Sequence, residues 1–390
     1  MDYRTDSTLA PASTLETIAA LRATLGQVMR IESHTIHDRP VDLIEFSGQL
    51  TRPSEEAFEH IYDHFTELGY TPMLTRRDGK ELVIAQHGIV KPTANRNSTN
   101  LILLVLTIIS TWFVGIQYGG GEELARLLPA TSDLGSLFGA IFSHPDLWIK
   151  GLPYVLTLLG ILGIHEMGHY VAARIHKAAV TLPYFIPLPV GLGTMGAVIR
   201  LKSPIKNRQQ LFDIGVAGPL AGLTIAIPLL LIGLLTSPVR FVGAPTPGGQ
   251  EGNSILYLLL KLVVYGRILP GGGYDVILNA IAFPAWFGLV VTMINLLPIG
   301  QLDGGHVLYA AQPRLHRRVA LVFWVVVLGL GYWWAGWYVW AGLVLVLSRG
   351  RLNHPTVLDA YRPLPASRRA LAWAGLVLFV LTFAPVPFRI

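Results

Sequence analysis

The chain of 390 residues is 52% hydrophobic and only 14% charged, where an ordinary globular protein carries roughly 25% charge. That balance excludes a single soluble domain, and the 40 Gly and 26 Pro lie among apolar runs, which excludes disorder and a collagen-like chain. There is no cysteine, so disulfides, thiol catalysis and thiolate-bound metals are excluded, and the net charge of +6 sits in loops beside apolar segments, as membrane topology rather than nucleic-acid binding requires. The expected fold class is mainly α: a polytopic α-helical membrane protein of about six to eight apolar segments with a small soluble α+β N-terminal domain.

No charged-then-apolar leader opens the sequence, and Asp2, Asp6 and Glu16 speak against an acid-poor transit peptide, so insertion is expected to begin at a later segment. Leu15, Ile18, Leu21, Leu25 and Val28 recur at helical spacing. Residues 41–46 then read as a strand, 53–68 as a helix with Glu55 and Glu56 in its first turn, and 70–75 and 82–85 as strands around Asp78-Gly79. Phe58, Ile61, Phe65 and Leu68 form the expected core face of that helix. His60 and His64 lie one turn apart on its other side, where a solvated surface pair is favoured over a metal site. Residues 1–97 are thus expected to form the soluble domain.

Residues 101–118 are the first uncharged apolar run, just long enough to cross a hydrocarbon core of about 30 Å. The second span is expected at 152–173 and the third at 211–235. Between the first two lie Glu122, Glu123, Asp133 and Asp146 against Arg126 and Lys150, whereas 174–208 carries Arg174, Lys177, Arg200, Lys202, Lys206 and Arg208 with no acid. The positive-inside rule therefore puts the N-terminal domain and the 174–210 loop in the cytoplasm and makes 98–150 the first transmembrane helix and an external loop. Residues 255–269, with Lys261 in the middle, read as a span, a re-entrant piece or an interfacial helix. Residues 280–298 are the next span. The long uncharged stretch between Arg318 and Arg349 is expected to be a hairpin turning near Gly336, and 370–384 a last span, so that 311–390 are C-terminal transmembrane helices.

Inside the second span stands His165-Glu166-Met167-Gly168-His169. Side chains at i and i+4 stack on one helical face and can offer two imidazole nitrogens to one ion, with Glu166 beside it, which is the zinc metalloprotease pattern. Three ionisable groups in a span cost about 2.5–3.5 kcal/mol each on insertion scales, and a metal supplies the compensation. A catalytic zinc takes three protein ligands, and Asp303 in Asn295-Leu296-Leu297-Pro298-Ile299-Gly300-Gln301-Leu302-Asp303-Gly304-Gly305-His306 is the best third candidate. Taken alone, its Asp-Gly pair reads as an ordinary turn.

His165-Glu166-x-x-His169, Asn295-x-x-Pro298 and Leu302-Asp303-Gly304 together resemble the site-2 protease family of intramembrane zinc metalloproteases (peptidase family M50), over about residues 150–310. The resemblance implies Zn2+ held by His165, His169 and Asp303, Glu166 as general base on the zinc-bound water, and Asn295 near the substrate backbone. Residues 151–310 would be the metalloprotease core. Gly218-Pro219-Leu220-Ala221-Gly222 also resembles a family motif, except that many members have Asn at the place of Gly222. With no PDZ-like insertion, the chain looks most like the chloroplast and bacterial branch that includes the plant yellow-green gravitropism proteases.

Because His165, His169 and Asp303 must reach one depth, 280–298 is expected to run in the same direction as the second span, and 255–269 then cannot be a complete crossing. The Pro- and Gly-rich stretch 181–201 excludes a regular transmembrane helix. Family resemblance implies that it offers an edge strand to an unwound substrate, with 194–199, including Thr194 and Gly196, the substrate-binding part. The other reading is a connector resting on the bilayer. The expected function is hydrolysis of a peptide bond in or near the transmembrane segment of a membrane protein, with membrane lipid and that substrate as partners, no nucleic acid, and a bacterial cytoplasmic membrane as the location. The alternative is a membrane metal transporter or a catalytically idle membrane-binding protein.

Overall fold

A computed structural model describes residues 15–37, 43–90, 97–128, 133–243 and 250–389. The N-terminal region runs α1 (Leu15–Leu25), β1 (Met29–His37), β2 (Leu43–Leu50), α2 (Ser54–Glu67), β3 (Tyr70–Arg77) and β4 (Lys80–His87). Its strands form one antiparallel sheet in the order β1-β2-β4-β3. Leu21 and Leu25 of α1 and Ile61 and Phe65 of α2 are buried with Ile44, Phe46, Leu74 and Val83 of the sheet, so helix period and strand alternation point at one core. The expected strand at 41–46 is β2, shifted toward the C-terminus, and residues 41 and 42 lie outside those described. Leu68, expected in the core, is 39% exposed, because α2 ends before it. Strand β1 was not expected from the sequence. All but its first and third residues are exposed, so it lacks the alternation by which a strand is recognised.

The apolar part begins with α3 (Asn97–Gly119), α4 (Gly121–Leu127), α5 (Leu134–Ser143) and α6 (Pro145–Ile175). After the β5 (Tyr184–Pro187) and β6 (Thr194–Val198) hairpin comes α7 (Arg208–Leu235). Helices α3, α6 and α7 are long and apolar enough to cross a membrane. They coincide with the three expected long spans, but α6 starts earlier than expected, with Pro145 in its first turn. Glycines let these helices touch. A Cβ on Gly115 would lie 2.7 Å from the carbonyl of Gly151, and one on Gly168 would lie 2.6 Å from that of Ala217.

Next come β7 (Val239–Phe241), β8 (Gln250–Glu251), α8 (Ile255–Tyr265) and β9 (Tyr274–Val276). Helix α8 has 11 residues, about 16 Å at the α-helical rise and too short to cross. Its Lys261 is fully buried, 3.2 Å from Glu251 and 3.5 Å from Asp275, so the cation that made this segment ambiguous is paired within the protein.

The chain closes with α9 (Ala282–Asn295), α10 (Asp303–Ala311), α11 (Pro313–Leu330), α12 (Gly336–Leu347), α13 (Ala366–Thr382) and β10 (Phe388–Arg389). The expected span 280–298 is therefore a helix of 14 residues followed by irregular chain. The stretch between Arg318 and Arg349 turns where expected, with α11 ending and α12 beginning around Gly336. The count of six to eight spans thus rests on helices shorter than α3, α6 and α7. One large apolar core joins α7, α8, α9, α12 and α13 around Trp286 and Trp337.

Candidate metal centre

Helix α6 carries His165, Glu166 and His169 through the middle of the helical bundle, and all three are buried. The third group arrives from a break between helices. After Asn295 ends α9, Gly300 takes a positive φ of 56° and the chain folds back so that Asp303 starts α10. The fold-back leaves no room for side chains at the next two positions. A Cβ on Gly304 would sit 1.9 Å from the carbonyl of Leu296, and one on Gly305 would sit 2.5 Å from that of Gly300. The Asp-Gly-Gly run is thus required by close packing, not only by a turn.

Asp303 Oδ2 lies 3.3 Å from Nε2 of His165 and 3.3 Å from Nε2 of His169, and the two Nε2 atoms are 3.2 Å apart. His169 Nδ1 faces the Ile214 carbonyl at 2.7 Å, which fixes the tautomer with the proton on Nδ1 and leaves Nε2 a bare lone pair. Asp303 Oδ2 is buried and has no hydrogen-bond partner. The Nε2 atoms of both histidines and the Asp303 oxygen therefore converge on one point. A proton on one imidazole relieves one contact, whereas a cation in the middle satisfies all three, so these residues fit a metal ion. Among the described residues, His165, His169 and Asp303 are the one group of three potential ligands whose donor atoms gather within 4.8 Å.

Helix α7 makes the room for the imidazoles. A Cβ on Gly218 would lie 2.1 Å from His169 Nε2, and one on Gly222 would lie 3.1 Å from His165 Nδ1. The Gly-x-x-x-Gly spacing of Gly218-Pro219-Leu220-Ala221-Gly222 repeats the i, i+4 spacing of the histidines across the helix interface. At position 222 the space beside the helix is taken by the His165 side chain.

The trio opens on a cavity of about 460 Å3. Its wall includes Glu166, Asn295, residues 197–201 and His306, together with 354–357 from the C-terminal segment. Glu166 Oε2 accepts the backbone N–H of Ile199 at 2.8 Å, which ties the carboxylate to the end of β6. Asn295 Nδ2 stands 3.3 Å from His165 Nε2. Thr194 and Gly196 are placed differently. The Thr194 hydroxyl is turned into its own hairpin, donating to the Ile186 carbonyl at 2.8 Å and accepting from the Gly196 N–H at 3.0 Å, and neither residue lines the cavity. The hairpin is pinned on α3, where Ser110 Oγ donates to the Gly193 carbonyl at 2.7 Å and Asn100 Nδ2 to the Leu182 carbonyl at 2.8 Å.

Two histidines outside the expected site, His306 and His354, also line the cavity. His354 Nδ1 faces the Pro355 carbonyl at 2.6 Å, so its Nε2 accepts from His306 Nδ1 at 2.7 Å. Burial holds the His354 imidazole far below its usual pKa, in keeping with a neutral pair. His306 was visible, three residues beyond Asp303 on the same helix face. His354 sits in a Pro- and Arg-bearing loop with no pattern to mark it.

Residues 153–328 match the model of peptidase family M50. Over 298 residues, 73% of this chain and 52% of the relative, the sequence is 30% identical to the probable zinc metalloprotease EGY1, chloroplastic, of Arabidopsis thaliana. It is 29% identical over 245 residues to the probable zinc metalloprotease EGY2, chloroplastic, of the same plant, covering 63% of this chain and 44% of the relative. With the probable zinc metalloprotease EGY3, chloroplastic, of Oryza sativa subsp. japonica it shares 26% identity over 366 residues, 87% of this chain and 59% of the relative. The chain thus spans about half the length of the curated relatives it matches. No solved structure matches it.

Proposed function

We propose that this chain is an intramembrane zinc metallopeptidase of the site-2 protease kind, in which His165, His169 and Asp303 hold the ion and Glu166 is the general base. The observation that carries the reading is the convergence of the Nε2 atoms of His165 and His169 on a buried Asp303 oxygen with no hydrogen-bond partner, in the cavity that Glu166 shares. The relatives' names as zinc metalloproteases support zinc as the ion. When bound, zinc supplies Lewis acidity, activating water and polarising the scissile carbonyl. Glu166 takes a proton from the attacking water and delivers it to the departing amine, so it ends the cycle as it began.

A helical substrate hides its carbonyls, so the cleaved segment must unwind. Among the described residues β6 pairs with β5 alone, leaving its other edge for an extended peptide. The bond from Ile199 to Glu166 sets the base at the end of that edge. Thr194 and Gly196 then act by shaping the hairpin, and Asn295 by facing the substrate from the metal side. The substrate is the membrane-spanning segment of another protein, surrounded by lipid. Helices α9, α11, α12 and α13 complete the membrane-embedded part. The N-terminal region, residues 1–97, lies on the cytoplasmic side of a bacterial cytoplasmic membrane, residues 98–150 form the first crossing and external loop, and 151–310 with 311–390 form the enzyme body.

The test is cleavage of a panel of single-span reporter proteins by purified protein, before and after chelation and with zinc restored. Cleavage lost on chelation and regained with zinc supports the reading. Cleavage indifferent to chelation, or no cleavage alongside zinc uptake by vesicles holding the protein, contradicts it.

A further inference from the structure

Residues 354–362 cross from the metal cavity to the N-terminal sheet. The chain bends at Leu358 and bridges at Asp359, and neighbouring side chains in its middle enter different cores. Val357 is buried in the cluster of Leu211, Phe212, Val307 and Tyr309 from α7 and α10. Leu358 is buried in the N-terminal core with Phe58 and Leu74. Two cores are thus joined through adjacent residues.

Backbone bonds run along both sides. Leu74 N–H donates to the Leu358 carbonyl at 2.7 Å and Ala360 N–H to the Leu74 carbonyl at 3.0 Å, while Leu358 N–H donates to Ile205 at 3.0 Å and Asp359 N–H to Lys206 at 2.6 Å. The segment therefore covers the free edge of β3, an edge that would otherwise be open. Arg362 pairs with Glu55 of α2 at 2.6 Å, and Lys206 lies 4.1 Å over the Tyr62 ring. At the other end His354 receives the His306 N–H and stacks on Tyr309 with ring centroids 4.4 Å apart, in the wall of the metal cavity.

We propose that residues 354–362 are a strap by which the N-terminal sheet holds one wall of the metal cavity, with His354 the positioning residue that sets the His306 ring toward bound substrate. The N-terminal region is then part of substrate binding although it contributes no cavity side chain. The kinetic half of this proposal rests on the peptidase reading, and the structural half does not.

The experiment uses the full chain with Leu358→Asp, which drives a charge into the N-terminal core, and Leu358→Met as the conservative control. Hydrogen exchange is followed at the amides of residues 74, 358, 359 and 360, zinc content is measured, and KM and kcat are determined on the reporter. The expected result for Leu358→Asp is exchange faster by about 10-fold or more at these amides and KM raised about 5-fold or more with kcat nearly unchanged. Zinc content stays at the wild-type level, and Leu358→Met behaves as wild type. Since the chain has no cysteine, Glu55→Cys with Arg362→Cys added to Leu358→Asp allows a short bifunctional maleimide to tie the strap down, and KM is expected to recover on cross-linking. Faster exchange with unchanged KM overturns the proposal, and so does unchanged exchange in folded Leu358→Asp. Should Leu358→Asp fail to fold, His354→Ala gives the same decision through KM, at unchanged zinc content and unchanged strap exchange. A wild-type protein that cuts no reporter sinks the peptidase reading and with it the role in substrate binding, while the exchange result still decides whether the strap is held by the N-terminal core.

Discussion

The protein contains two histidine pairs at the same helical spacing, and only one gathers a third potential ligand. His60 and His64 on α2 have ring centroids 5.2 Å apart, and His165 and His169 on α6 are 5.0 Å apart. On α2, His64 is exposed and uses Nδ1 on the carbonyl of His60 at 3.0 Å, while Nε2 of half-buried His60 has no hydrogen-bond partner. Around the α6 pair, Gly218 and Gly222 of α7 clear space for both rings, Ile214 of α7 fixes one tautomer, and the fold-back at Gly300 brings in Asp303. An i, i+4 pair is therefore only an opportunity. What distinguishes the second pair is the surroundings that aim its lone pairs and deliver an acid to them.

That contrast can be broken from its strong side first. Asp303→Ala is expected to abolish zinc retention through purification and cleavage with it, since two imidazoles alone leave the ion short of a ligand. Glu166→Ala keeps the zinc but lowers cleavage by about 100- to 10,000-fold, the usual worth of a general base. Gly218→Ala adds a methyl into the His169 ring, and zinc affinity measured by competition with a chelator is expected to fall about 10- to 100-fold, as when a ligand loses its orientation. Gly222→Ala meets His165 at a looser 3.1 Å and is expected to lower that affinity by only about 3-fold, less than loss of a ligand's support costs. At the weak end, His60→Ala with His64→Ala is expected to leave zinc stoichiometry and cleavage as in wild type, with stability changed by about 0.5 kcal/mol or less. A fall in bound zinc in that double variant would erase the distinction between the two pairs.

Much of this centre was legible because the chemistry sits in short motifs. His165, Glu166 and His169 lie within five consecutive residues of a span, and Asp303 follows an apolar run. The three long helices were legible for the same reason, since about 20 apolar residues in series have few alternatives. What escaped the sequence depends on contacts between distant segments. The exposed edge strand β1 lacks alternation, α9 stops at Asn295 because the chain must turn to present Asp303, and the strap bonds to Leu74 of the N-terminal sheet, far away in the sequence. Lys261 shows the same limit from another side: no local pattern announces Glu251 and Asp275 as its partners. His354 belongs here too, since its part in the cavity is set by residues 357 and 358 seating in two cores.

The most direct test of the central claim is to measure zinc per chain and reporter cleavage on the same preparations of wild type and Glu166→Ala. The account predicts about one zinc in both, as a single three-ligand site requires, with cleavage in wild type alone. Cleavage by Glu166→Ala at the wild-type rate, or a fully zinc-loaded wild type that cuts no reporter, would contradict it.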